Sequence, residues 1–319
     1  MKELLTTAAN IHHDIKKELM EDFKVSNEMD SKVLCDKIEA KIKDKSATGQ
    51  VNGATGQVNG GTGQVNGGIA FPVGLNINNV VAHFTPIHPT ENPVINFDKD
   101  IVKIDYGVHK NGYIIDEAFS YTRNPKLFPL ISASEDALTN ILKMARPDTR
   151  ICEIGEKAEE IVRSYEYERS PGVFTPLLPI DNVCGHSIKR WNIHGGGKLI
   201  YNVRNNTTGF IEANEMYAFE VYVSTGSGSA YMDNSHISHY MIENNDGSKP
   251  ELAELYNKFN TLAFSPQRHL EKCDYDKLEG LYTRGYLKKY PALVELIDTS
   301  YVSQTEKTLF VEENSTTIF

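Results

Sequence analysis

The stretch IVKIDYGVHKNGYIIDEAFSY, residues 101 to 121, constrains this chain more than any other. Two runs rich in Ile, Val, Tyr and Phe flank the polar turn His109-Lys110-Asn111-Gly112, so the segment reads as a β-hairpin. Folding it about the middle of that turn sets Val108 against Tyr113 and Asp105 against Asp116. Directly opposed residues of an antiparallel pair have Cα atoms only ~4.5–5.5 Å apart, and like charges there are destabilising unless something positive lies between them. A metal ion would satisfy that demand. The alternative is a solvent-facing pair on a one-sided sheet, but aspartate is depleted in strands and the flanking Lys103-Ile104 and Ile114-Ile115 do not mark a polar face.

Other residues extend the set. Glu220 lies inside the otherwise apolar run Tyr217-Ala218-Phe219-Glu220-Val221-Tyr222-Val223. A lone buried carboxylate costs several kcal/mol unless it is metal-bound, protonated or paired with an arginine or lysine. Glu306 repeats the pattern in a strand whose period of two puts Gln304, Glu306 and Thr308 on one face. His186 follows Gly185, which permits close backbone approach, and is a candidate imidazole ligand. His194, before three glycines, is a candidate supporting or oxyanion-stabilising group, and His83 is placed to assist at a substrate amine. His12, His13, His88, His109, His236 and His269 read as surface or structural. Four carboxylates and one imidazole form a hard, oxygen-rich set suited to two divalent ions, manganese, cobalt, iron or zinc. Two such ions ~3.5–4 Å apart can clamp a hydrolysis.

At 319 residues the chain can bury a large core, and its net charge of −10 with a pI near 5.5 argues against nucleic acid or an anionic membrane as the main partner. Cys35, Cys152, Cys184 and Cys273 show no CxxC spacing and read as free structural thiols. No apolar run approaches the ~20 residues needed to span a bilayer, and the opening MKELLTTAANIHHDIKKELM has no signal-peptide core, so a cytoplasmic location is expected. Apolar periodicity predicts helices over 3–23 and 31–43, the second carrying Val33, Leu34, Ile38 and Ile42. Three tandem copies of a Gly-, Asn- and Gln-rich heptapeptide then occupy 47–67 and read as a surface loop. Ser132 with Glu135 makes a capping box for a helix over 133–145. Another helix follows from Ile151, a strand covers 215–223, helical patterns run over 250–290, and a last strand spans 300–311. The fold class is α+β around a mostly antiparallel sheet.

The contexts KIDYG, IIDEAF, GHSI, AFEVY and SQTEKT resemble the five-ligand set of the methionine aminopeptidases. GIAFPVG, AHFTP, NTLAF and Tyr290-Pro291 resemble the type-2 class. The resemblance implies the pita-bread fold, a pseudo-twofold antiparallel sheet with flanking helices, as a single catalytic domain over 1–319 with a helical insertion at about 241–298. It implies two divalent metal ions: Asp105 chelates one, Asp116 and Glu306 bridge both, and His186 with Glu220 completes the other. A bridging hydroxide would attack the carbonyl of an N-terminal methionine, with Glu220 as proton acceptor, His194 stabilising the oxyanion and His83 contacting the substrate nitrogen. Phe71, Ile193, His239, Ala263, Tyr290 and Gln304 match positions lining the methionine pocket or its mouth. The implied partners are nascent chains bearing N-terminal methionine before a small second residue, met by a monomer whose transient ribosome association would not use a polybasic tail. The same fold also implies two alternatives, an Xaa-Pro peptidase and a non-catalytic binding protein. Cys184 replaces an asparagine common in the family, and Tyr106 a common phenylalanine.

Overall fold

The computed structural model describes residues 1–48, 66–88, 91–243 and 249–319. The repeat tract expected as a loop at 47–67 lies outside these residues except at its two ends. Helix α1 (Lys2–Val25) forms where Leu5, Ala8, Ile11, Ile15, Leu19 and Phe23 recur at three- and four-residue steps, and that stripe is buried. Helix α2 (Ser31–Thr48) outruns its expected end and buries Leu34, Cys35, Ile38 and Ile42. Val33, expected on the same face, is exposed instead, because it lies one position off the buried stripe. Both helices pack on a three-stranded antiparallel sheet of β1 (Gly68–Ile77), β2 (Val102–Lys110) and β3 (Tyr113–Tyr121), in that order. Pro72 has no N–H to give the ladder, and the β1–β2 register slips twice around it, between Ile69 and Phe71 and between Phe71 and Gly74.

The hairpin of β2 and β3 is tighter than expected. Only Asn111 and Gly112 form its turn, both with positive φ (50° and 78°), as a two-residue type I′ turn requires. Lys110 therefore pairs with Tyr113, Asp105 faces Ala118, and Asp116 faces Gly107. The direct opposition of Asp105 and Asp116 is thus corrected to a diagonal: because the pairing moved by two residues, both carboxylates remain on one face.

Helix α3 (Phe128–Met144) begins one turn before the expected capping box, with Pro129 in its first turn, and Ser132 sits inside it. Helix α4 (Ile151–Val162) follows, then β4 (Cys184–Ile188), β5 (Glu215–Ser224), β6 (Ala230–Ile242), α5 (Ala253–Phe259), α6 (Tyr275–Thr283), β7 (Leu287–Glu295) and β8 (Val302–Val311). The helical pattern expected to residue 290 ends at Thr283, where the chain turns into β7. Strands β4, β5 and β8 are adjacent in a second antiparallel sheet, on which α3 packs. Strands β6 and β7 pair in a third sheet beside Val80–Ala82. Two hydroxyls stitch the first sheet to the second. Thr308 accepts from the Asp116 N–H and donates to the Asp116 carbonyl, and Ser120 does the same for Gln304. That seam brings Asp116 alongside Glu306.

The region of α5 and α6 is tied to α2 by a buried ion cluster. Arg268 and His269 lie 3.0 and 3.1 Å from Glu39, and Arg268 also pairs with Asp36. Burial raises the Glu39 carboxyl, but its two partners outweigh that and hold it at about 2. Its folded-state pKa is depressed, so the stability it contributes is complete above the ordinary value of 4.5 and is lost as pH falls toward about 2. Glu39→Gln should cost about 2 kcal/mol at pH 7: Arg268 keeps Asp36 and the Pro86 carbonyl but loses its buried carboxylate partner. Urea unfolding between pH 5 and pH 2 checks both the loss and the flattening of this acid limb.

Candidate metal centre

The like-charge opposition expected within the hairpin occurs elsewhere. Glu220 of β5 stands directly opposite Glu306 of β8. Strand β4 reaches the same face because Gly185 lets it lie close to β5: a Cβ there would sit 2.4 Å from the Ala218 carbonyl oxygen. The next residue, His186, then places Nε2 3.5 Å from Asp116 Oδ2. Ligand atoms of Asp116, His186 and Glu306 all lie within 4.8 Å of one another. Together with Asp105 and Glu220 they line one cavity of about 230 Å³.

The electrostatics of this cluster call for shared protons or a bound cation. Burial pushes Asp105 up to about 7, and burial with the nearby Asp105 charge pushes Glu220 up to about 8. Burial and the neighbouring carboxylates drive Asp116 and Glu306 well above the carboxylate range. Burial lowers His186 to about 4, so its imidazole is neutral and its lone pair free at pH 7. Among the described residues no lysine or arginine pairs with Asp105, Glu220 or Glu306, and the buried Asp105 Oδ1 has no hydrogen-bond partner. The arginine or lysine partner weighed for Glu220 is therefore not found there; its neighbour is the Tyr222 hydroxyl. Four oxygen donors and a neutral nitrogen in one buried pocket fit divalent metal ions.

Gln304 departs from expectation. It does not line the cavity; its side-chain amide donates to Asp105 Oδ2 at 3.2 Å and Glu306 Oε2 at 3.3 Å, holding two carboxylates from behind. Phe71, Ile193, His239, Ala263 and Tyr290 do line it. His83 enters from a left-handed backbone (φ 64°), a costly conformation for a non-glycine residue, and its Nδ1 lies 3.3 Å from the Pro291 carbonyl. Burial lowers His83 to about 4 and takes His194 well below its usual range. The His194 ring meets that of His186 edge-on at 4.5 Å, and its Nδ1 lies 3.4 Å from the Tyr290 hydroxyl. Cys184 also lines the cavity, with burial pushing its thiol up to about 12. Tyr222, Met241 and Leu293 were not singled out from the sequence. Tyr222 had a signal, standing two positions from Glu220 on the same strand face; the other two come from distant elements and had none.

A sequence model of the metallopeptidase family M24 matches residues 3–245. Methionine aminopeptidase 2 of Kluyveromyces lactis is 37% identical over 254 residues, covering 76% of this chain and 59% of that protein. Methionine aminopeptidase 2 of Encephalitozoon intestinalis is 35% identical over 261 residues, covering 77% of this chain and 71% of that one. The chain thus spans less than two thirds of the length of the first of these relatives. Among solved structures, a thermophilic Arx1 superposes with a TM-score of 0.73 at 15% identity, covering 99% of this chain and 90% of that one. The methionine aminopeptidase of Thermotoga maritima gives 0.61 at 16% identity, covering 100% and 94%. These likenesses show the pita-bread fold.

Proposed function

The chain belongs to the metallopeptidase family M24, and from that premise we propose that it is a type-2 methionine aminopeptidase that removes initiator methionine from chains whose second residue is small. The observation that carries this reading is the convergence of Asp105, Asp116, His186, Glu220 and Glu306 on one cavity with no compensating cation among the described residues. Asp105 would hold one divalent ion, His186 with Glu220 the other, and Asp116 with Glu306 both. Bound there, such ions supply Lewis-acid polarisation of the scissile carbonyl and a water nucleophile at neutral pH.

The chain's own residues do the rest. Glu220, kept ionised when divalent ions occupy the site, would accept the proton released as water attacks. His83 donates its Nδ1–H to the Pro291 carbonyl, which can only accept, so its Nε2 offers a lone pair to a substrate N–H. The Tyr290 hydroxyl lies 3.4 Å from Nδ1 of His194; in the tautomer that accepts there, Nε2–H of that ring is left to donate to the carbonyl oxygen as charge builds. Phe71, Ile193, Ala263 and Tyr290 give the methionine side chain an apolar seat. On this reading the protein acts in the cytoplasm, as a monomer, on emerging chains.

A Xaa-Pro peptidase of the same fold is the competing enzyme. Free amino acid released from Met-Ala-Ser and from Xaa-Pro peptides, measured side by side, separates them. Methionine release from Met-Ala-Ser with little cleavage before proline is expected, and the reverse order would refute the assignment.

A further inference from the structure

Behind the metal centre lies a second cluster. Side chains alternate along β3, so Glu117 points away from Asp116 and under α1, where it meets His12 and His13. Glu117 and His12 are buried, while the side chain of His13 is 44% exposed. His12 Nε2 lies 3.3 Å from the Glu117 backbone carbonyl, a group that can only accept, so Nε2 carries the ring proton and Nδ1 is a bare lone pair. That lone pair faces the Glu117 carboxylate at 3.6 Å with no hydrogen between them. The Lys307 ammonium satisfies part of the cluster, lying 2.6 Å from Glu117 Oε2 and 3.0 Å from His13 Nε2. His12 Nδ1 and Glu117 Oε1 remain buried without partners.

We infer that His12 Nδ1, His13 Nε2 and the Glu117 carboxylate form a second metal site, suited to a zinc-class divalent ion and separate from the centre in the cavity. The spacing fits. Two atoms each ~2.0–2.1 Å from a tetrahedral zinc lie ~3.3–3.4 Å apart; Glu117 Oε2 is 3.6 Å from His12 Nδ1 and 3.4 Å from His13 Nε2, and the three donor atoms fall within 4.8 Å of one another. Two imidazoles and one carboxylate are the donor types zinc takes. The Lys307 ammonium occupies this cation seat, and because its side chain is 26% exposed it can swing into solvent when a metal enters past His13. An occupied site would pin α1 to β3 and lie directly behind Asp116 and beside Glu306. The inference does not depend on which peptide the front site cleaves.

The test is calorimetric titration of zinc into the metal-stripped full chain, compared with His13→Ala and Lys307→Met. His13→Ala removes the half-exposed ligand and should bind one equivalent fewer than the parent. Lys307→Met removes the competing positive charge and should keep that equivalent and tighten it roughly tenfold or more. Equal stoichiometry in the parent and His13→Ala would overturn the inference, as would unchanged affinity in Lys307→Met. Should Lys307→Met fail to fold, anomalous diffraction at the zinc edge from the parent decides. A peak ~2.0–2.2 Å from His12 Nδ1, His13 Nε2 and the Glu117 carboxylate supports the site, and its absence at saturating zinc refutes it.

Discussion

Asp116→Ala should lower methionine release by roughly 10³-fold or more while leaving the chain folded. The asymmetry follows from how the residue is held. Its backbone N–H and carbonyl are both engaged by the Thr308 hydroxyl, and those bonds survive loss of the side chain. Its carboxylate, by contrast, stands beside His186 and among Asp105 and Glu220, so its removal takes away a donor the metal ions would share. The same crowding fixes a pH dependence. Asp105 and Glu220 have folded pKa values raised to about 7 and about 8, so the folded chain holds protons that the unfolded chain has released. The stripped protein should therefore lose stability as pH rises from the ordinary carboxylate range through about 8, and added manganese or cobalt should reverse the loss. Stripped Asp116→Ala carries one fewer of the repelling groups and should show a shallower decline. Thermal unfolding of both proteins across pH 4.5 to 8.5, with and without metal, checks the sign, at about one pH unit per step.

Gly185→Ala should be the most damaging small substitution near the site. The added Cβ would sit 2.4 Å from the Ala218 carbonyl oxygen and 3.3 Å from the Glu220 backbone nitrogen, both main-chain atoms that no rotamer change can move. Relief requires β4 to lift from β5, which carries His186 away from Asp116. A cost of about 3 kcal/mol is expected, with weakened metal binding and at least ~10²-fold loss of activity. Gly280→Ala is the control: it lies in α6 with no atom within 4 Å of the added Cβ and should gain ~0.5–1 kcal/mol from helix propensity alone. Chemical denaturation and calorimetric metal titration of the two variants separate a general glycine effect from this contact.

Asp105, Asp116 and Glu220 were legible because each broke a local rule of its own strand, whereas His186 and Glu306 gained their weight from the contexts GHSI and SQTEKT. Register was misread rather than hidden: Asn111-Gly112 is the letter pair a two-residue type I′ turn favours, but the expected hairpin spread its turn over four residues. The error left the inference standing because a shift of two residues preserves the face. Gln304 was misplaced for a related reason. Strand period put it on the face of Glu306, but which of its neighbours it reaches depends on how β8 meets the hairpin across the Ser120 and Thr308 hydroxyls. The role of Glu117 was invisible, since a glutamate after a metal-binding aspartate reads as solvent-facing until α1 is seen to cover it.

A metal-dependent aminopeptidase and a non-catalytic protein of the same fold differ in one directly measurable property. Methionine released from Met-Ala-Ser should be measured with the full chain stripped of metal, and again after manganese or cobalt is added back. No release is expected from the stripped protein, release on addition of metal, and roughly 10³-fold less or lower from Asp116→Ala with metal present. Equal release by the parent and Asp116→Ala, or a parent that binds no divalent ion and releases nothing, would contradict it.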